Sequence, residues 1–173
     1  MLFRLRRSGP IVVGLLFLLS ACAGNAPQPP AVEGFRCHAA VTCPDLAVEG
    51  TLTRQNAGLL TFEISAPPSL RDVTLVWDGE TVSVRLHGLT FGIDPAQLPA
   101  SGVGTALLAA LDAAIGSDGA ETAEGLSVVG QSSSGRFTLL SDPETGHLLS
   151  LSLPELGITA DFSDFERLAG GTS

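Results

Sequence analysis

From residue 35 onward, apolar and polar positions alternate with a period of two. Phe35, Cys37, Ala39 and Val41 share one side of the chain, with Arg36, His38, Ala40 and Thr42 between them, as in a strand buried on one face only. A Pro44-Asp45 turn follows, and Leu46, Val48, Gly50 and Leu52 resume the alternation. Asn56 and Gly58 mark the next reversal. Leu60, Phe62 and Ile64 then continue until Pro67-Pro68, because proline cannot donate to a sheet ladder. Val73, Leu75 and Trp77 lead into Asp78-Gly79, a strong hairpin signal, and Val82, Val84 and Leu86 make the return. Alternation this regular predicts an antiparallel meander with one wet face.

The period changes to a helical one after residue 100. Ser101 is placed to cap the start, Val103, Leu107, Leu108, Leu111, Ala114 and Ile115 fall at helical spacing, and Gly116 is placed to close the end. Ala106, Ala109, Ala110 and Ala113 add helix propensity. One face is apolar; the other is mostly small alanines with Asp112. Such a helix needs an apolar surface beneath it. Residues 117–124, rich in Gly, Asp and Glu, read as a loop. Further strands fall near 126–130, 136–140, 147–153 and 157–162, with Asp142-Pro143-Glu144-Thr145-Gly146 as the turn between the middle two. The expected class is α+β, an antiparallel sheet of about nine strands covered by one amphipathic helix.

The N-terminus follows different rules. Arg4, Arg6 and Arg7 precede an apolar run at 11–19 that is broken only by Gly14. A membrane span needs about 20 apolar residues, so this shorter run reads as a secretory signal. It ends in Leu19-Ser20-Ala21-Cys22, and small residues before a cysteine resemble the lipobox of bacterial lipoproteins. That resemblance implies a diacylglyceryl group on Cys22, which becomes the first residue, and an extracytoplasmic domain anchored to the bacterial membrane; two acyl chains suffice for stable anchoring. The alternative is an ordinary signal peptide with an incidental Cys22. Residues 23–33 hold Pro27, Pro29 and Pro30 and read as an extended tether with nothing to fill a core. The expected organisation is a signal at 1–21, a lipidated tether at 22–34 and one domain at 35–173.

Charge narrows the partners. All nine basic residues are arginines, set against 18 acidic ones, for a net charge of −9. Three of the arginines lie in the signal, so a chain starting at Cys22 is more acidic still. A field of that sign repels nucleic acid and anionic headgroups.

Three segments carry a resemblance to a known family. They are 58–67 (GLLTFEISAP), 75–82 (LVWDGETV), and 142–146 with 148–153 and 158–165. They are similar to the strand ending in proline, the Asp-Gly hairpin and the closing strands of the half-barrel lipoprotein-carrier superfamily, which includes LolA, LolB and the mycobacterial LppX and LprG type. The resemblance implies a strongly curved half-barrel with an apolar concave face, a lid helix, and a crevice for lipid or lipoprotein acyl chains. Its lining would come from Leu60, Phe62, Leu75, Trp77, Val82 and Val84 on the strands and from Leu107, Leu108 and Leu111 on the helix. Taken singly, each of these residues reads first as plain core.

Other chemistry finds little footing. In an oxidising compartment Cys37 and Cys43 invite a disulfide. Yet six extended residues span about 20 Å, against about 5.5 Å between bridged Cα atoms, so the bridge requires a reversal between residues 39 and 42. Cys37, His38 and Cys43 lack a fourth metal ligand, so neither metal nor cofactor is expected. His38, His87 and His147 are scattered, no Gly-x-Ser-x-Gly elbow occurs, and residues 130–135 read as a hairpin loop. Asp142 and Glu144 read as a solvated turn, not a calcium loop. The expectation is a non-enzyme: a carrier of a hydrophobic ligand, or else an interaction or envelope-assembly module on the same fold, its protein partner unidentified.

Overall fold

Every segment that alternates in sequence is a strand, and the strands form one sheet. A computed structural model describes residues 26–78, 81–94 and 102–168 of the 173-residue chain. Cys22 and the signal-like segment, the turn residue Gly79 and the expected cap Ser101 lie outside them. The elements are β1 (Phe35–Cys43), β2 (Leu46–Arg54), β3 (Leu60–Ala66), β4 (Thr74–Trp77), β5 (Val82–Leu86), β6 (Leu89–Ile93), α1 (Val103–Ala113), β7 (Ala120–Thr122), β8 (Gly125–Ser132), β9 (Gly135–Ser141), β10 (Leu148–Leu153) and β11 (Ile158–Arg167). The strand order is β6-β5-β4-β3-β2-β1-β11-β10-β9-β8-β7, antiparallel throughout. Two meanders thus join where β11 returns to pair with β1. The sheet is open and strongly curved, a half-barrel with one α-helix among the described residues, and register shifts at Arg36/His38, Glu49/Gly50 and Leu148/Ser150 add local bend.

The expected nine strands are β1–β5 and β8–β11. The two additions, β6 and β7, are the two edges of the sheet. β7 corrects the loop reading of 117–124: three exposed residues pair with β8 although they bury nothing. β6 is likewise exposed along most of its length and is held by pairing with β5 across a two-residue turn, His87 (φ 49°) and Gly88 (φ 81°). Neither strand is driven by core burial, the signal that alternation reports.

Between the two edges the chain makes α1, so the link from β6 to β7 crosses the sheet, and it does so on the apolar inner face. Ala106, Leu107, Ala110 and Leu111 are buried there, within a core that includes Phe35, Leu52, Phe137, Leu151 and Ala160 from the sheet. The helix begins after Gly102 without a side-chain cap. Gly116 (φ 69°) closes the turn that follows it. Gly104 lies against the Trp77 indole, where a Cβ would overlap the ring.

A second contact fixes the other end of the helix. Arg54 closes the inward series of β2 and is fully buried, with its Nη2 donating to Asp112 Oδ1 at 2.5 Å. The same carboxylate oxygen accepts from Gly58 N at 3.2 Å. Arg54 Nε and Nη1 are buried without a hydrogen-bond partner among the described residues, so one carboxylate carries most of the compensation for a buried cation.

The N-terminal stretch is less free than its composition implies. Gln28 N donates to Pro143 O and Ala31 N to Gly146 O, each at 2.8 Å. Ala31 and Val32 are buried, and Val32 joins the core. The turn that receives this strap is self-capped: Asp142 Oδ1 accepts from the backbone N–H of Thr145 and Glu144 and from the Thr145 hydroxyl. Those bonds, the Thr145 hydroxyl foremost, hold the Asp142 carboxyl below its ordinary value. Gly146 (φ 71°) leaves room for the Pro29 carbonyl, which a Cβ would strike.

Removing the Asp112 carboxylate strands the Arg54 charge. Asp112→Ala is expected to cost about 3 kcal/mol in denaturant unfolding, while Arg54→Met combined with Asp112→Leu recovers most of that loss.

Candidate functional site: an apolar cavity under the helix

In an antiparallel sheet the turns alternate between two ends. The β1–β2 turn, the end of β3, the start of β4 and the β5–β6 turn share one end; the start of β1 and the β9–β10 turn lie at the other. A cavity of about 200 Å³ opens on the inner face toward the first of these ends. Its floor comes from alternate residues of successive strands: Val41 and Cys43 on β1, Leu46, Val48 and Leu52 on β2, and Leu60, Phe62 and Ile64 on β3. Val73 and then Leu75 and Trp77 of β4 make one wall, Leu70 from the turn at Pro68–Leu70 another, and Val103, Gly104 and Leu107 of α1 the roof. Cross-strand register makes this continuous, since Leu52 faces Phe62, Phe62 faces Leu75, and Leu60 faces Trp77.

Burial is graded along the cavity. Leu52, Leu60 and Leu107 at the inner end are buried, whereas Cys43, Leu70, Val73 and Leu75 are only partly so and Leu46 at the mouth is exposed. The side-chain walls are hydrocarbon apart from the Cys43 sulfur and the Trp77 indole nitrogen. Cys43 Sγ donates to the Leu46 carbonyl at 3.2 Å. Trp77 Nε1 is buried and finds no hydrogen-bond partner among the described residues. Such a site can hold hydrocarbon by burial and shape, and the walls offer no fixed charge.

Of the nine residues expected to line a crevice, Leu60, Phe62, Leu75, Trp77 and Leu107 do so. Val82 and Leu111 are buried in the core away from the cavity, and Leu108 packs partly buried against that core. Val84 is half-buried opposite Leu75. The contributions of β1, β2, Leu70 and Val73 were not anticipated as lining. For β1 and β2 the signal was present, because their inward positions follow from the same alternation.

The disulfide is corrected. Cys37 and Cys43 are both free, because β1 runs unbroken through both and the reversal comes only after Cys43. Cys37 is buried in the core, where desolvation pushes its thiol up to about 12. The histidines occupy three separate places. His38 lies 4.0 Å from Glu49 on the outer face, His87 sits in the β5–β6 turn, and His147 stacks on Phe165.

No protein-family model and no curated protein matches the chain. Solved structures do. The chain is similar to a LolA superfamily protein from Nitrosomonas europaea at 13% identity, over 82% of this chain and 89% of that one, with a TM-score of 0.43. It is also similar to LprF from Mycobacterium bovis at 14% identity, over 82% and 90%, with a TM-score of 0.36. Identities this low assign no role to any residue here.

The two thiols give a direct test of the site. With Cys22→Ser in place, Cys43 at the mouth is expected to react with a maleimide in the folded protein at pH 8. Cys37 reacts at least about a hundredfold more slowly until denaturant is added; peptide mass spectrometry reads both rates.

Proposed function

We propose that the chain is a lipoprotein, anchored through Cys22 to the outside of a bacterial membrane, that holds the hydrocarbon part of a hydrophobic ligand in the cavity beneath α1. The observation that carries this reading is the cavity itself: a space walled by hydrocarbon that grades from a buried inner end to an open mouth. A void of that kind forfeits dispersion contacts and costs stability unless something fills it. Water is a poor occupant, because a bound water needs two to four polar partners. Each methylene transferred there contributes about 0.8 kcal/mol.

Size restricts the ligand. Pockets that bury a whole drug-sized ligand run from about 300 to 1,000 Å³, so about 200 Å³ suits one tail and leaves the polar end of the ligand at the mouth. An acyl chain of a lipid or of another lipoprotein has that form. The alternative, an interaction module on the same fold, draws on a different feature, the exposed apolar edge at β6.

Binding of a fluorescent fatty-acid analogue to the purified protein tests the carrier reading. Leu75→Trp at the partly open mouth is expected to weaken binding at least about tenfold with little change in unfolding, whereas Leu111→Trp, in the filled core, overpacks and costs about 1 to 3 kcal/mol. If the analogue does not bind, or binds Leu75→Trp unchanged, the cavity is not the ligand site. Separately, Cys22→Ser is expected to move the protein from the membrane to the soluble fraction.

A further inference from the structure

The two edges of the sheet are protected very differently. β7 is a three-residue strand carrying Glu121, and short, charged edges resist pairing with other chains. β6, Leu-Thr-Phe-Gly-Ile, carries no charge at all. On it Leu89 is 62% exposed and Phe91 56%. Phe91 prolongs an apolar row of the inner face, Leu52–Phe62–Leu75–Val84–Phe91, from the cavity out to the open edge.

We propose that β6 pairs antiparallel with β6 of a second copy about a two-fold axis at Phe91, joining two half-barrels edge to edge.

Backbone parity supports that axis. A two-residue hairpin turn is flanked by a pair that exchanges hydrogen bonds, and such pairs then alternate with pairs that do not. The turn is His87-Gly88, so Leu86/Leu89, Val84/Phe91 and Val82/Ile93 use their backbone groups within the hairpin. The N–H and C=O of Thr90 and Gly92 therefore point outward. An axis at Phe91 places Thr90 opposite the partner copy's Gly92, and each such pair exchanges two bonds. It also sets the two Phe91 rings side by side and Leu89 against Ile93, all on the inner faces.

The charge pattern favours a second copy. Residues 81–93 include Arg85 and His87 but no acid, in a chain with 18 acidic residues; two acidic molecules can meet there without like charges opposed.

The test is intermolecular cross-linking and mass in detergent, on the lipidated full chain with Cys43→Ser. Phe91→Cys is expected to give a disulfide-linked dimer on mild oxidation, since non-hydrogen-bonded partners bring Cα atoms to about 4.5 Å; Ser163→Cys on the outer face gives none. By light scattering the parent protein shifts toward dimer up to about 100 μM. Thr90→Pro, which removes only an outward N–H, holds it as monomer with unchanged circular dichroism. Phe91→Asp does the same should the proline variant misfold. The proposal is overturned by a parent that stays monomeric without cross-linking at 91, by a dimer that survives both substitutions, or by protection of Phe91→Cys from reagents by lipid vesicles alone.

Discussion

One constraint governs the molecule: an eleven-stranded sheet with a single apolar face is covered, among the described residues, by one short α-helix. Neighbouring strands lie about 4.8 Å apart, so ten spacings would spread the sheet over about 48 Å if flat. The 11 residues of α1 reach about 16 Å at 1.5 Å per residue. A flat sheet would leave most of its inner face in water. Curvature resolves part of the mismatch, because bending brings β8–β10 and β1–β3 toward the same helix and lets Leu107, Leu111, Phe137 and Leu151 share one core. It does not resolve all of it. Toward the β1–β2 turn the walls fall short of contact, leaving the cavity, and beyond it the inner face opens onto Val84 and Phe91 at the edge.

Where the helix lies is set by two contacts of different character. At its start, Gly104 admits the six-membered side of the Trp77 indole, which specifies how close the backbone comes. Near its end, Asp112 reaches Arg54 and the backbone of Gly58. A buried ion pair is a weak contributor to net stability, since desolvating the guanidinium offsets most of the attraction. It is, however, intolerant of error: displacing α1 strands a buried cation that already has two nitrogens unpartnered. The pair thus fixes position more than it adds stability, and the cavity roof inherits that precision through Leu107, five residues before Asp112.

Much of this was legible in the sequence because burial on one face writes a period of two, and the nine strands that line the core all show it. What escaped notice shares a physical cause. β6 and β7 bury little, so their strand character comes from pairing, which leaves no trace in one segment read alone. Ala31 and Val32 sit among prolines, where composition speaks for a tether, yet the strap is held by backbone bonds to Pro143 and Gly146 that side chains do not announce. The cysteines show the reverse case, since strand geometry argued against a bridge and compartment for one, and geometry prevailed. Arg54 was readable. It falls on the inward parity of Leu46, Val48, Gly50 and Leu52, and an arginine there demands an anion, which the lone Asp112 of the helix supplies.

The two ends of the half-barrel have separate tasks in this arrangement. The strap at residues 28–32 docks at the β9–β10 turn, so the chain leading back toward Cys22 leaves from that end. The cavity mouth, with Cys43 and Leu46, opens at the opposite end, and the β5–β6 turn lies there too. Under the proposed anchoring at Cys22, only residues 23–27 would separate the lipid from the docked strap, at most about 18 Å even fully extended. A domain tethered so closely could not turn over freely above that membrane. On the proposed carrier reading its mouth would then face away from the anchor, and exchange of a hydrophobic ligand through that mouth would be directed away from the lipid surface.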